Sequence, residues 1–322
     1  MDEVLIGTLI ASTLRVSVPL VLCALAGCLS ERSGVIDLGL EGKMLLTAFA
    51  TASVGALTGS LALALAVAIA VGVALSMLHG YACVTHGGDQ VVLGVAITMI
   101  AAGLTVVLGI AWFSLGGQTP PLPEAVRLHP LFGGAAAVVR EWPLVGPTLA
   151  LALFGHDAFV YGALGAVAAV WWLLYRTRFG LRLRASGENP AMVDAAGVSV
   201  QRMRFGALAL NGVLSALAGS YLVLAMNPSF IPQMTAGRGY MALAAMIFGK
   251  WHPVGALAAC LLFGFLDTAS IRLQGVPLPL VGPVPVQAIQ ALPYVLTVVL
   301  LAGFIGQAVA PKALGRPYVK ER

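Results

Sequence analysis

Residues 61–79 read Leu-Ala-Leu-Ala-Leu-Ala-Val-Ala-Ile-Ala-Val-Gly-Val-Ala-Leu-Ser-Met-Leu-His, without one Asp, Glu, Lys or Arg. A helix of about 20 such residues spans the hydrocarbon core of a bilayer. The whole chain shares this character, since 59% of its 322 residues are hydrophobic and only 10% are charged. A soluble domain carries about 25% charged residues, which excludes a soluble enzyme, a nucleic-acid binder and a secreted disulfide scaffold. The sequence predicts an all-α, polytopic integral membrane protein.

Nine apolar segments are predicted to cross the membrane. They lie at 5–29, 44–57, 61–79, 91–114, 159–175, 205–226, 239–249, 253–271 and 286–306. Because three of them are short, we expect about 8–10 transmembrane helices, in a single transmembrane domain covering 1–322. The N-terminus, Met1-Asp2-Glu3, has no basic region, so the first span is predicted to be retained rather than cleaved as a signal peptide.

The positions of Lys and Arg predict the orientation of the chain. Six of the 18 lie within 176–204 and four within 312–322. Positively charged loops remain in the cytoplasm, so the segment at 176–204 and the C-terminus are predicted to be cytoplasmic. The proline-rich stretch at about 115–158 is then an external loop, with a short interfacial helix near 135–140.

The basic cytoplasmic loop carries the pattern of a short helix outside the bilayer. Ser186-Gly187 is predicted to form a turn, Asn189 the N-cap, and Pro190 the first helical residue. Gly197 is placed to end this helix of two turns. Two interpretations remain open at this point: an ordinary loop helix, and a surface that a soluble partner grips.

Three stretches of the chain resemble one transporter family. Residues 176–190 read Arg-Thr-Arg-Phe-Gly-Leu-Arg-Leu-Arg-Ala-Ser-Gly-Glu-Asn-Pro, and Ala-Gly-Val follows. This is similar to the coupling-helix region of ABC importer permeases of the branched-chain amino acid, simple-sugar and nucleoside group. Residues 30–44, Ser-Glu-Arg-Ser-Gly-Val-Ile-Asp-Leu-Gly-Leu-Glu-Gly-Lys-Met, and 235–255, beginning Thr-Ala-Gly-Arg-Gly-Tyr-Met, are similar to the nucleoside and simple-sugar branch. The resemblance covers essentially the whole chain.

The resemblance implies a non-catalytic permease subunit in the inner cell membrane that carries nucleosides or simple sugars. It implies three partners: a second, usually different permease, a cytoplasmic ATPase that binds ATP and Mg²⁺, and a substrate-binding protein that is either periplasmic or a lipoprotein. The chain has no G-x-x-x-x-G-K-[ST] phosphate loop, so we expect no cofactor of its own. The residues carried over as ATPase-coupling residues are Arg184, Gly187, Glu188, Asn189, Pro190 and Gly197.

An ion-gradient-driven secondary transporter of small polar solutes is the alternative. Such a transporter needs acids at membrane depth, and those available are Asp37, Glu41 and Asp267. Asp267 is predicted near the outer end of its span, which is a poor position for a coupling site at the midplane.

A group of charged residues precedes and opens the second span: Arg32, Asp37, Glu41 and Lys43. On a helix, Asp37 and Glu41 would share a face because they are four residues apart. Two carboxylates suggest acid–base chemistry, but no nucleophile, His or metal cluster accompanies them. We expect a structural cluster in which Lys43 or Arg32 balances the acids. No metal site is expected, and the four cysteines are predicted to be packing residues.

Polar residues within apolar surroundings are candidates for the substrate path. They are Gln90, Asn211, Asn227, Phe230, Thr235 and Arg238. Amides supply both donors and acceptors to sugar hydroxyls and nucleobases, and an aromatic ring can stack on them. The segment from Met226 to Pro232 is predicted to break a helix and line a cavity. The alternative is that these residues only join helices by hydrogen bonds.

Overall fold

The computed structural model describes residues 2–141, 146–273 and 308–319, together with 277–278, 282–283, 291 and 295. The α-helices are α1 (Asp2–Arg32), α2 (Leu40–Thr58), α3 (Leu61–Gly80), α4 (Gln90–Phe113), α5 (Gly133–Arg140), α6 (Gly146–Leu149), α7 (Ala158–Arg176), α8 (Arg178–Glu188), α9 (Pro190–Ala195), α10 (Val200–Tyr221), α11 (Arg238–Phe248) and α12 (Pro253–Leu273). Single π-helical turns follow α3 (Tyr81–Thr85), α6 (Ala150–Phe154) and α10 (Leu222–Met226), and a 3-10 turn covers Glu124–Val126. Two antiparallel strands of two residues each, β1 (Pro277–Leu278) and β2 (Gly282–Pro283), pair with Pro277 opposite Pro283.

The predicted all-α membrane architecture is confirmed. Within the described residues, six helices are long and apolar enough to cross a bilayer: Ile6–Arg32, Leu61–Thr85, Gln90–Phe113, Ala158–Arg176, Val200–Met226 and Pro253–Arg272. The predicted spans at 44–57 and 239–249 correspond to α2 and to the short helix α11. The predicted span at 286–306 lies outside the described residues.

The centre of the bundle is formed by α1 and α10. In the most apolar 18-residue stretch of α10 and the turn after it, 78% is buried within the protein, against 22% in the corresponding stretches of α3 and α4. The peripheral helix α3 meets α10 backbone to backbone, because a Cβ atom added to Gly72 would lie 2.4 Å from the carbonyl oxygen of Gly212. Small residues at such crossings permit the close packing that joins membrane helices.

Helix α7 separates two loop regions that lie at its opposite ends. At its N-terminal end, the loop after α4 pairs with the chain after α10: the Leu122 amide donates to the Pro228 carbonyl at 2.7 Å and the Thr119 amide to the Phe230 carbonyl at 3.2 Å. This region contains α5, which confirms the short helix predicted near 135–140. At the C-terminal end of α7 lie α8, α9 and the tail 308–319.

Helix α11 is bounded by unusual backbone. The chain between α10 and α11 is not helical, and Gln233 and Ala236 have φ angles of 61° and 48°. After α11, Lys250 and Trp251 have φ angles of 54° and 53°. With 11 residues, α11 is about 16 Å long, which is close to half of a bilayer core.

Candidate functional site

A buried polar cluster joins the start of α2 to α3 and α10. The Nζ atom of Lys43 donates to Oδ2 of Asp37 at 2.5 Å and to Oδ1 of Asn211 at 3.0 Å. The Asn211 amide donates in turn to the Ala26 carbonyl at 3.0 Å, and the Ser76 hydroxyl donates to Asn211 at 3.0 Å. Buried charges are tolerated where they are paired and hydrogen-bonded in this way. The cluster therefore joins four helices through polar contacts.

The prediction that Asp37 and Glu41 share one face of a helix is wrong. Asp37 precedes α2, and its Oδ1 accepts a hydrogen bond from the Gly39 amide at 3.1 Å, so the backbone turns there before the helix begins. Burial by itself raises the pKa of the Asp37 carboxyl, but the charges of Lys43 and His79 together with the hydrogen bonds from Lys43 and Asn211 hold this pKa below its usual range. The two acids consequently serve different partners.

Glu41 binds the N-terminal end of α11. Its Oε1 accepts a hydrogen bond from the Gly237 amide at 2.8 Å, and its Oε2 accepts one from the Gly239 amide at 2.6 Å. The carboxylate is almost fully buried, with 6% of the residue exposed. It therefore satisfies two of the unpaired N–H groups at the start of a short helix.

Arg32 and its neighbour Glu31 contact the loop after α11. The Nε atom of Arg32 donates to the Trp251 carbonyl at 3.1 Å, and its Nη2 donates to the Lys250 carbonyl at 3.3 Å. Oε2 of Glu31 accepts a hydrogen bond from Trp251 Nε1 at 2.6 Å. Of the two cations predicted to balance the acids, Lys43 is the one that pairs with Asp37.

The predicted substrate-path residues do not converge on one point. Gln90 accepts a hydrogen bond from the Ile36 amide at 2.7 Å, and Asn211 belongs to the buried cluster. Phe230 is fully buried and packs edge-on against Phe49, with ring centroids 5.2 Å apart. The remaining three, Asn227, Thr235 and Arg238, lie in or directly after the non-helical segment before α11.

The segment before α11 presents side chains on the surface of this chain. The helix break predicted for Met226–Pro232 is confirmed, and it begins one residue later, because the π turn ends at Met226. Gln233 and Tyr240 are exposed, Thr235 is fully buried, and Arg238 is half-buried with its Nη1 donating to the Met234 carbonyl at 3.2 Å. Gln233 and Tyr240 were not among the predicted path residues.

The short helix predicted between Asn189 and Gly197 is confirmed. Asn189 caps α9 by accepting a hydrogen bond from the Met192 amide at 3.2 Å, Pro190 is the first residue of α9, and Gly197 after its end has a φ of 78°. Met192 is 70% exposed, whereas Val193 is buried and anchors the helix to the bundle. The helix therefore projects an apolar side chain from a fixed base.

The turn predicted at Ser186-Gly187 is wrong, since both residues lie in the last turn of α8. Gly187 instead allows a close approach: a Cβ atom there would lie 2.2 Å from the Arg32 carbonyl oxygen. Arg184 is also engaged within the chain, because its Nε donates to the Leu174 carbonyl at 3.0 Å and its guanidinium lies over the Tyr175 ring. These two predicted coupling residues thus fix the position of the segment.

A tail segment, residues 311–319, completes the same surface and was not predicted. The Ala313 amide donates to the Gly187 carbonyl at 2.8 Å, and the Gly315 amide donates to the Gly34 carbonyl at 3.1 Å. The Lys312 amide lies 3.5 Å from Oε2 of Glu188. The tail therefore ties α8 to the loop between α1 and α2.

Within the ranges that the structure describes, no three His, Cys, Asp or Glu side chains are grouped to hold a metal ion. The four cysteines, Cys23, Cys28, Cys83 and Cys260, are all buried, as predicted for packing residues.

Comparison with known proteins assigns the family. Residues 9–305 match the family described as "Branched-chain amino acid transport system / permease component". The chain is 37% identical to the guanosine ABC transporter permease protein NupQ of Bacillus subtilis, with 98% of each chain covered. It is 33% identical to the nucleoside ABC transporter permease protein NupC of Lactococcus lactis, with 98% of this chain and 97% of that one covered.

A third relative is named for a sugar. The putative glucose ABC transporter permease protein TsgC13 of Haloferax volcanii is 34% identical, over 84% of this chain and 79% of its own length. No solved structure gives a significant match. The family match covers most of the described bundle and its apolar helices, and the two nucleoside permeases are similar over nearly their full length. This chain, a multi-pass membrane protein, therefore belongs to the family of branched-chain amino acid transport system permease components.

Proposed function

We propose that this chain is the permease subunit of an ATP-driven ABC importer that carries nucleosides or simple sugars into the cell. The observation that carries the proposal is the similarity over 98% of the chain to permeases named for guanosine and for nucleosides. The glucose permease that is 34% identical keeps simple sugars within the substrate class. The subunit itself is non-catalytic, and ATP and Mg²⁺ are bound by a separate ATPase.

The ATPase docks on α9 and its flanking residues. Glu188 and Asn189 are exposed there together with Met192, on a helix that Val193 anchors. A protruding apolar side chain with a polar rim is the arrangement that protein interfaces favour. Closure of the ATPase pair would move this segment and switch the path between outward-facing and inward-facing states.

The orientation follows from the basic loop and the basic tail, which contact each other and therefore lie on one side of the protein. Positively charged loops remain cytoplasmic, so α8, α9 and the C-terminus face the cytoplasm. The opposite side, with α5, receives substrate from an external binding protein. A second permease, usually a different chain, completes the path.

The substrate path runs along the segment before α11 and the first turns of that helix. Broken helices lining a water-filled cavity supply polar groups at membrane depth in many transporters. Gln233, Arg238 and Tyr240 offer an amide, a cation and an aromatic ring on the surface of this chain. These groups suit a ligand with hydroxyls and a flat ring, whereas Gln90 and Asn211 serve contacts within the subunit.

The test is ATP hydrolysis by the assembled complex in nanodiscs. The chain is co-expressed with its ATPase, the second permease and the binding protein, and hydrolysis is measured against a panel of nucleosides and sugars. Stimulation by a nucleoside supports the proposal and narrows it, and stimulation by a sugar alone selects the other substrate class. Uptake that persists without ATP and collapses with the proton gradient would overturn it in favour of a secondary transporter.

A further inference from the structure

Helix α11 has no side-chain cap of its own. Its N-cap residue is Gly237, which has no side chain, at a φ of 80°. The cap comes instead from α2, because the two carboxylate oxygens of Glu41 accept hydrogen bonds from Gly237 and Gly239 at 2.8 and 2.6 Å. The start of α11 is thus held by a residue 196 positions earlier in the chain.

The contact between the Glu41 carboxylate and the start of α11 involves a charged acceptor, and it requires a residue without a side chain at position 239. The N–H groups that begin a helix carry partial positive charge, which a carboxylate complements. Lys43, the nearest cation in the sequence, is engaged by Asp37 and Asn211. A Cβ atom on Gly239 would lie 2.6 Å from Glu41 Cα, so glycine at that position permits the close approach.

Glu41 is also connected, through the loop before α2, to the coupling segment, residues 176–204. It lies in the first turn of α2, and the loop before α2 contacts α8: the Ser186 hydroxyl lies 3.4 Å from the Ser33 carbonyl, and Gly187 packs on Arg32. The tail joins the same loop at Gly34. A continuous set of packed groups therefore connects α9 with the first turn of α11.

We propose that Glu41 is a positioning residue that holds the first turn of α11 in place and transmits movement of the coupling segment to it. The transmission part of this inference rests on the proposed function. The holding part does not, because it concerns only contacts within this chain.

The holding part is tested by the reactivity of a buried thiol beside the contact. Thr235 is fully buried, and the four native cysteines are also buried. In the full chain in nanodiscs, Thr235→Cys is labelled with N-ethylmaleimide, which reacts with a thiol only where water stabilises the thiolate. Adding Glu41→Gln should raise the labelling rate about tenfold, since loss of charged hydrogen bonds shifts an equilibrium by about that factor.

Glu31→Gln is the matched control. Glu31 is equally buried and accepts a hydrogen bond near the other end of α11, from Trp251. It should leave the labelling rate of Cys at 235 within about twofold of the parent, because an amide oxygen still accepts from the indole N–H. Glu41→Asp keeps the charge on a shorter side chain and should give an intermediate rate. Equal rates in the parent, Glu41→Asp and Glu41→Gln would overturn the inference, as would equal acceleration by Glu31→Gln.

The transmission part is tested in the assembled complex by the amount of substrate taken up per ATP hydrolysed. Glu41→Gln should lower this ratio several-fold while the ATPase remains bound, and Glu31→Gln should leave it unchanged. An unchanged ratio in Glu41→Gln would overturn transmission. Wild-type uptake that does not depend on ATP would count against the proposed function, and the labelling result would still decide whether Glu41 holds α11.

Discussion

Lys43 and Asn211, which are 168 residues apart in the chain, meet in the protein interior with Nζ and Oδ1 3.0 Å apart. Both side chains are fully buried, as is that of Asp37, the ion-pair partner of Lys43. The start of α2 is thereby fastened to the middle of α10, one of the two central helices.

Replacing Lys43 alone should destabilise the protein strongly. Lys43→Met leaves the Asp37 carboxylate buried without its cation, and breaking a buried pair in this way costs about 3–5 kcal/mol. Asp37→Asn together with Lys43→Met should recover part of that loss, because no uncompensated charge remains. The free energy of unfolding, followed by circular dichroism during denaturation in detergent, measures both variants.

Arg127→Met is the control for this pair. Arg127 Nη1 lies 3.7 Å from Glu124 Oε2 in a partly exposed pair, for which the expected loss is below about 1 kcal/mol. A Lys43→Met variant as stable as Arg127→Met would contradict the assignment of the buried cluster.

A charge on the exposed face of α9 should weaken binding of the ATPase. Met192→Asp places a carboxylate where an apolar contact is proposed, and removal of a central interface residue costs about 2 kcal/mol or more. We expect the affinity of the chain for the ATPase to fall at least about thirtyfold, so that less ATPase co-purifies. The stability of the isolated chain should be unchanged. Phe132→Asp is the control, since Phe132 is 45% exposed at the opposite end of the protein. Equal ATPase binding by both variants would argue against docking on α9.

The tail segment should support the proposed ATPase-binding surface at α8 and α9 through backbone hydrogen bonds. Ala313→Pro removes the amide that donates to the Gly187 carbonyl. The full-length variant should then bind the ATPase less tightly, because the tail no longer holds α8 and α9 in position. Val309→Pro makes the same change at an exposed position two residues before the tail segment and should bind normally. Affinity for the ATPase, measured by biolayer interferometry with the chain in nanodiscs, separates the two. A normal affinity for Ala313→Pro would rule out a supporting role of the tail.

Tyr240 should affect substrate passage rather than assembly. Tyr240→Ala removes an exposed ring from the start of α11, and loss of stacking between an aromatic ring and a nucleobase costs about 1–3 kcal/mol. We expect uptake at low substrate concentration to fall about tenfold or more while the complex still forms. Tyr81→Ala removes another exposed ring, from the π-helical turn after α3, and should transport normally. Uptake by Tyr240→Ala that matches Tyr81→Ala would remove Tyr240 from the path.

Apolar runs made the long helices predictable. The contacts between polar groups could not be predicted in this way. The second span was predicted to begin at residue 44, whereas α2 begins at Leu40. A hydropathy pattern excludes Glu41 and Lys43 because they are charged, yet both are buried since α10 and α11 supply their partners. Those partners are distant in the chain, so no local pattern indicates them.

The surface formed by α8, α9 and the tail was likewise predictable only in part. Asn189, Pro190 and Gly197 follow local capping rules, and the short helix was found from them. Gly187 is set by the approach of α1, and the tail binds through backbone amides and carbonyls. Hydrogen bonds between backbone groups do not require particular side chains, so the docked tail left no motif to recognise.

The backbone on either side of α11 departs from the conformations that non-glycine residues favour. Gln233 and Ala236 before it, and Lys250 and Trp251 after it, are in the left-handed region, at a cost of about 1 kcal/mol for each such residue. Glycine adopts this φ without that cost, so a variant with glycine at these positions should be more stable. The two flanks of α11 are therefore shaped by the contacts around them rather than by the local preference of the sequence.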